Sequence, residues 1–454
     1  MNKTLFVDAK TFNSGINIRL LNHNYKITYP KKIWANLPNN FKKTFLDNLA
    51  YASTNFLPLM LKKNKISYNT NPPILENLLY KNVLLDLLNC ERGDQKPHLA
   101  YLKNFYNLEF IFASQESSLL KNIDWQKIKT DEKKVVVPFT FGKESLATVA
   151  LCQEIGLEPI LVYCQEPSQP YEEKYKLKAL KKFSQEFNLT YYFLKNEPGA
   201  FRYGKAFNFK KPTEIGWGTQ TTNLALMMLP FARYHQAKYI LFGNEYSNNE
   251  FNWKNGWKEW LSYDQTNENI INQDNMIRLL SNDQVKIRST LQPLEEINIF
   301  FLLHHRYPEY GKYQFSCIAE DPLLKNSQWC HKCYKCALMF LFAECCKIDY
   351  QKIGFQKNLL HLPKMFDHYF GQKFAAGSNK ELDFSFYILH KRQHQSNYLK
   401  KFKKEKLPQT KTWAHYLKYY TSKKPYTNLP KKFENKVLKI FTEELNNFKN
   451  VISK

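Results

Sequence analysis

Four cysteines carry the most specific chemical signal in this chain. Cys330, Cys333 and Cys336 form a Cys-x-x-Cys-x-x-Cys run, and Cys317 stands thirteen residues before its first member. Two-residue gaps let three thiolates converge on one ion from a tight turn, and a quartet suits tetrahedral Zn2+. An iron–sulfur cluster is the competing occupant, but it calls for a redox task that nothing else in the sequence supplies. Cys317 or His331 completes the quartet, with Cys317 the better match. A second signal is Thr140-Phe141-Gly142-Lys143-Glu144-Ser145, which follows the apolar run Val135–Val137 and precedes residues at helical spacing. Where a strand hands over to a helix, free backbone N–H groups and the helix dipole favour an anion. Gly142 lets the backbone come close, Lys143 adds a point charge, and Ser145 adds a hydroxyl donor. A third is Gly243-Asn244-Glu245, at the end of the apolar run Tyr239–Phe242. Glu245 could hold Mg2+ through water or position an attacking group, and Asn244 could bond a substrate or nucleotide. Each loop has a plainer reading as an ordinary turn whose polar residues face water.

The elements that must position these groups alternate strand and helix. Leu146, Val149, Ala150 and Ile155 fall at helical spacing, Gly156 is a stop signal, and Pro159–Tyr163 reads as the next strand. A loop Gln165-Glu166-Pro167-Ser168, a helix Glu172–Phe187 and a strand Leu189–Leu194 continue the pattern. An irregular approach, Pro212–Thr222, leads to a helix Asn223–Ala237, capped by Thr221 or Thr222 and bent rather than ended by Pro230. The spacing therefore predicts an α/β fold, a parallel sheet with helices on both faces. Strand ends in such sheets bind ligands. The stretch Tyr246–Asp264, rich in Asn and holding Trp253, Trp257 and Trp260, reads as a lid or binding loop. Upstream, a hairpin around Asn22-His23-Asn24 and a helical pattern from Asn40 to Leu61 suggest an α+β unit of residues 1–130. The remaining expected units are 131–315 around the phosphate loop, 316–365 around the cysteines, and a basic helical region 366–454.

At 454 residues, with 43% hydrophobic and 16% aromatic content, the chain can bury a large core and is not disordered. Its start has no long apolar segment and no run is long enough for a membrane span, which points to a cytoplasmic protein with no membrane partner. Nine cysteines in a chain of this kind read as metal ligands plus buried thiols (Cys90, Cys152, Cys164, Cys345, Cys346) in a reducing compartment. The net charge of +25 raises nucleic acid as a partner. The lysines are spread along the whole chain, however, together with Asn, Ile and Tyr, as a compositional bias would spread them. Lys400-Lys401-Phe402-Lys403-Lys404 and Trp413–Tyr420 could bind RNA, but solvated helix faces over an aromatic core are favoured. Oligomeric state is not legible.

The loop 140–145 resembles the Ser-Gly-Gly-x-Asp-Ser signature of the PP-loop ATP pyrophosphatases. Thr140 stands for the first Ser, Phe141 for the first Gly and Glu144 for Asp, while Gly142 and Ser145 are retained. Phe141 puts a Cβ where the loop calls for positive φ. Ser316-Cys317 and Trp329-Cys330-x-x-Cys333-x-x-Cys336 are similar to the 7-cyano-7-deazaguanine synthase branch, as is Leu291-Gln292-Pro293-Leu294-Glu295-Glu296 before them. The Asn244-Glu245 pair, the Trp329–Cys336 run and Gly354–Leu360 look like the UDP-N-acetylmuramoyl-L-alanyl-L-glutamate epimerase family. The resemblance implies a PP-loop (HUP-like) Rossmann-type fold with a structural zinc behind the ATP domain. It implies attack by a substrate oxygen, most plausibly a carboxylate, on the ATP α-phosphorus, giving an adenylate and pyrophosphate. Thr140, Phe141, Gly142, Lys143, Glu144, Ser145, Gly243 and Asn244 would form the ATP site. Lys143 would grip phosphates bridged by Mg2+, and Glu245 would help hold the ion. The adenylate's fate, whether epimerisation or amide or nitrile formation, is left open. A tRNA-modifying PP-loop enzyme, or an inactive nucleotide- or RNA-binding relative, is the alternative.

Overall fold

A computed structural model describes residues 4–89, 98–118, 128–167, 170–203, 205–207, 209, 215–260, 262–317, 328–370, 379–426 and 428–454. Cys90, Ser168 and the start of the Pro212–Thr222 approach lie outside them. The chain opens with β1 (Thr4–Phe12), β2 (Gly15–Leu20) and β3 (His23–Thr28), followed by β4 (Lys65–Tyr68) and β5 (Glu109–Ile111). Leu21 and Asn22 join β2 to β3 with φ of 47° and 67°. Two consecutive positive φ values are what a two-residue hairpin loop needs to match strand twist.

Five more strands form the second half: β6 (Asp131–Pro138), β7 (Glu158–Gln165), β8 (Thr190–Asn196), β9 (Ala237–Phe242) and, after the small hairpin β10 (Phe251–Lys254)–β11 (Trp257–Trp260), β12 (Lys286–Ser289). All ten strands outside that hairpin belong to one sheet, in the order β12-β9-β6-β7-β8-β3-β2-β1-β4-β5. From β12 to β8 every pairing is parallel. The first five strands thus continue the same sheet. They join it at an antiparallel seam of two residue pairs, Ile27 with Asn196 and Thr28 with Lys195.

The valine run shows why the parallel half is buried on both sides. Val135 and Val137 point into one apolar cluster with Leu146, Val149, Leu180 and Phe183, from helices Lys143–Glu154 and Pro170–Glu186. Val136 points the other way, into a cluster with Leu226, Met227, Ile270 and Ile277, from helices Gln220–His235 and Asn267–Leu280. Alternate side chains of a strand face opposite ways, so a continuous apolar run requires helices on both faces. Burying each such side chain contributes about 1.5–3 kcal/mol.

Helix Gln220–His235 begins earlier than the sequence suggests, with Thr219 at the N-cap position and no side-chain capping bond. Thr221 and Thr222 lie inside it. The carboxylate of Asp264 caps from outside instead, accepting the Thr221 N–H at 3.2 Å. Pro230 lies within the helix, as the periodicity requires.

Beyond residue 328 a third core forms around helix Tyr334–Cys346, with Phe384, Phe402, Tyr416 and Tyr420 buried in it. Lys400, Lys403 and Lys404 face solvent, so lysines and aromatics separate onto opposite sides. The last helix, Glu434–Ser453, ties two cores together: Val437, Phe441 and Leu445 belong to the cluster that holds helix Lys143–Glu154, Phe448 and Ile452 to the C-terminal core. Among the described residues no helix is long and apolar enough to cross a membrane.

Candidate functional site

Counted from β6, the parallel strands lie in the order 3-2-1-4-5. Connections leave β6 and β9 toward opposite sides, so their C-terminal ends form the switch point of the sheet, the place where doubly wound folds bind ligands. Both loops singled out from the sequence come to that place. Phe141 takes φ of 62°, the left-handed region, and its ring is fully buried against Phe139 (4.6 Å) and Phe183 (5.7 Å). Its carbonyl accepts the Phe315 N–H at 2.8 Å. Gly142 is extended (φ −67°, ψ 158°) at the N-cap position of the Lys143–Glu154 helix. The positive φ has therefore fallen on Phe141, and Gly142 is not held to glycine by its backbone: a Cβ there would meet only the movable end of the Glu144 side chain, at 2.9 Å. Ser145 closes the loop locally, its Oγ accepting the Thr140 N–H (3.3 Å) and donating to the Gly142 carbonyl (3.1 Å).

Lys143 does not extend over the loop. Its side chain is 2% exposed, and Nζ lies among three carboxylates: Glu144, Glu245 (3.2 Å) and Glu296 (3.0 Å). Lys335 reaches the same Glu296 oxygen at 3.2 Å. Burial opposes charge on Lys143, but Glu144, Glu245 and Glu296 together hold it well above its usual pKa. Burial pushes the Glu245 carboxyl up to about 7, against the pull of Lys143. Glu245 Oε1 also accepts the Ser247 hydroxyl at 2.9 Å. Gly243 is the contact between the two loops: a Cβ there would lie 2.8 Å from both the Glu144 carbonyl and Thr148 Oγ1. Asn244 is used structurally, its amide donating to the Gln265 carbonyl (3.0 Å) and its own carbonyl accepting the Ser289 hydroxyl (3.0 Å).

Glu144, Glu245 and Glu296 each offer an oxygen within 4.8 Å of the others, a hard-donor set that could hold a metal ion. The Lys143 ammonium now lies among those oxygens, so such an ion would have to replace it.

Several residues of this region were not singled out by sequence. Glu296 and Lys335 complete the carboxylate–ammonium cluster. Glu381, buried and with its carboxyl pushed well up by burial and by Glu296, Glu295 and Glu245, accepts the Ile297 N–H at 2.9 Å. Glu166, just past β7, accepts from Asn196 (2.9 Å) and pairs with the buried Arg202. Its position at a strand end was the available signal. The others are brought in by segments far apart in sequence, which no local pattern reveals.

The cysteines meet as their spacing requires. Sγ separations are 3.9 Å for Cys317–Cys333, 3.7 Å for Cys330–Cys336 and 3.5 Å for Cys333–Cys336. A tetrahedron with Zn–S bonds of about 2.3 Å has edges of about 3.8 Å. The N–H groups of Lys332 and Cys333 both point to Cys330 Sγ at 3.3 Å, a turn that stabilises a thiolate. His331 has φ of 57° and its Nε2 accepts the Gln356 N–H at 3.1 Å, which turns it away from the quartet. Trp329 anchors the turn, donating Nε1–H to the Ile353 carbonyl at 2.7 Å and stacking on Phe355 at 4.4 Å. Cys317, Cys330, Cys333 and Cys336 could thus hold a metal such as zinc. Cys152, Cys345 and Cys346 are buried elsewhere, their thiols pushed up by burial.

No protein-family model matches this chain, and no curated protein matches it.

Proposed function

We propose that the chain is an ATP-dependent enzyme of the PP-loop type that adenylates a small-molecule carboxylate and releases pyrophosphate. One observation carries the reading: the loop after β6 and the loop after β9 meet at the switch point, where Lys143 from one is buried against Glu245 of the other. A substrate carboxylate oxygen would attack the α-phosphorus, the bond to the β-phosphate bridging oxygen would break, and pyrophosphate would leave. The protein's task in such a reaction is alignment and charge neutralisation. Backbone N–H groups at the start of the Lys143–Glu154 helix would face phosphate oxygens. Glu144, Glu245 and Glu296 would hold Mg2+, which supplies positive charge to the leaving pyrophosphate. Displaced from the carboxylates, Lys143 would add a further cation. The outcome would be epimerase-like or 7-deazaguanine synthase-like, according to what attacks or deprotonates the activated acid.

Zn2+ at the four cysteines is assigned a structural role in this reading, because thiolates fill all four positions and none is left for substrate. The test is ATP–pyrophosphate exchange with pools of carboxylic acids, followed by AMP detection. Exchange that appears with one acid class and falls ~10²-fold or more in Lys143→Ala supports the proposal. Absence of any acid-dependent exchange removes it.

A tRNA-directed relative is the second reading, favoured by the hairpin β10–β11. Phe251, Trp253 and Trp257 are 40%, 68% and 49% exposed. Lys258 lies within 4.8 Å of the Phe251 ring and 5.9 Å of the Trp253 ring. Exposed rings beside a cation suit stacked bases. Salt-sensitive tRNA binding lost in Trp253→Ala would favour this reading.

A further inference from the structure

Two connections run from the cysteine turn to the loop after β6, and neither belongs to the turn's own packing. The first is a backbone bond. Phe315, two residues before Cys317, donates its N–H to the Phe141 carbonyl at 2.8 Å. Tyr175 stacks on the Phe315 ring at 4.9 Å, so this segment is braced from helix Pro170–Glu186 as well. The second is ionic. Lys335 lies between the ligands Cys333 and Cys336, and its Nζ reaches Glu296 Oε1 at 3.2 Å. The same oxygen is 3.0 Å from Lys143 Nζ. One carboxylate oxygen is thus shared by the ammonium that starts helix Lys143–Glu154 and the ammonium of Lys335, in the first turn of helix Tyr334–Cys346 between two of the cysteines. Glu296 and Lys143 are 4% and 2% exposed and Lys335 26%, so the shared oxygen is shielded from water while Lys335 approaches it from a partly wet side, and removing either cation leaves a buried carboxylate short of a partner.

The residue gripped by the first connection is also the strained one. Phe141 has φ of 62° with a full side chain, a conformation that costs roughly 1–2 kcal/mol and persists only where surroundings impose it. Its carbonyl is fixed by the arm that leads to Cys317, and Lys143, two residues on, is held through Glu296 by the arm that leads to Cys333 and Cys336.

We infer that the four-cysteine turn, when it holds a metal, is a positioning device for the loop Thr140–Lys143, with Lys335 as the positioning residue that transmits it. A turn closed on a metal fixes where Cys317 and Cys333 sit, and through them the directions of the Phe315 N–H and the Lys335 ammonium. Without the metal the four sulfurs are no longer bound to a common centre, and both connections lose their fixed end. The alternative is a staple that serves only the core around helix Tyr334–Cys346. That account leaves the Lys335–Glu296–Lys143 link with no role. The inference leans on the ATP reading only for what the loop is for, not for how it is held.

The experiment is amide hydrogen exchange on the full chain loaded with Zn2+, comparing wild type, Lys335→Met and Lys335→Arg, with metal content measured alongside. Lys335→Met should keep its zinc while amides of residues 141–146 exchange roughly tenfold faster or more, the scale of losing one hydrogen bond to a charged group. Lys335→Arg should recover much of the protection. Chelating the metal from wild type should speed exchange at the same amides as well as in the turn. Should Lys335→Met fail to fold, Glu296→Gln breaks the shared acceptor at nearly constant volume and should give the same loop signature with zinc retained. The inference is overturned if the loop amides exchange at the wild-type rate in the zinc-loaded variant, or if chelation loosens only the turn. No nucleotide enters these measurements, so failure to bind ATP would remove the proposed function and leave this result standing.

Discussion

The strain at Phe141 can be isolated by comparing two substitutions at that position. Phe141→Ala removes a ring that is fully buried against Phe139, Phe183 and Tyr313. Deleting a buried Phe costs about 3–5 kcal/mol. The alanine retains a Cβ at φ of 62° and therefore retains the strain. Phe141→Gly removes the same ring, loses an additional ~0.5–1 kcal/mol to unfolded-chain entropy, and relieves a left-handed cost of roughly 1–2 kcal/mol. The packing loss dominates, so both variants are less stable than wild type. Their order is the diagnostic quantity. Glycine should exceed alanine by about 0.75 kcal/mol (range ~0–1.5), the reverse of the usual ranking in regular structure. Urea unfolding of the three proteins under identical metal loading gives the difference directly. Should alanine prove the more stable, the backbone at residue 141 is not left-handed, and the account of how this loop is held fails with it. Should glycine equal wild type, the ring is not buried as described.

Three further outcomes follow from the same structure. Gly243→Ala should cost about 1–3 kcal/mol, because the new methyl meets the Glu144 carbonyl and Thr148 Oγ1 at 2.8 Å, and denaturant midpoints would reveal an unaltered protein if the loops do not touch. Cys333→Ser should lose the metal and loosen the core around helix Tyr334–Cys346, read by metal analysis with near-UV dichroism; full metal content in the variant would refute the quartet. His304 is buried, bonded to Gln314 at 2.6 Å, and pushed down to about 4 from 6.5 by burial. The unfolded chain binds this proton first, so stability falls as pH drops from 6.5 to 4, by about 3 kcal/mol for this group. His304→Gln should flatten that acid slope in pH-dependent unfolding, and an unchanged slope would show the imidazole is not held neutral.

What could be read from the sequence, and what could not, divides along a physical line. Val135–Val137 followed by a glycine loop and an amphipathic helix is local information, and the strand, turn and helix appear where the pattern puts them. The convergence of Cys317 with the later three is likewise encoded in residue type and spacing. Side-chain direction is not. A lysine at the first turn of a helix reads as a phosphate ligand. That it turns inward depends on Glu245 and Glu296, roughly a hundred and a hundred and fifty residues away. Lys335 was visible only as a residue between two cysteines, and Glu381 as one acid in a helix. Their roles are set by tertiary packing alone. The cap of helix Gln220–His235 shows the same limit, since the oxygen that serves it comes from Asp264 and not from the threonines beside it.

The antiparallel seam between β3 and β8 also decides where the N-terminal half lies along the parallel strands. β3 pairs with β8 only at Ile27–Asn196 and Thr28–Lys195, and Thr28 lies level with Gly15 and Phe12, so β1, β2 and β3 meet the parallel half at the C-terminal end of β8 and extend beyond it. The turn between β1 and β2 therefore lies at the C-terminal end of the parallel strands. Helix Glu76–Asp86 reaches the same end, where Asn82 donates to the Gly218 carbonyl at 2.8 Å and Lys81 pairs with Glu268 at 2.8 Å. The N-terminal half thus brings side chains to that end of the sheet both from this turn and from this helix.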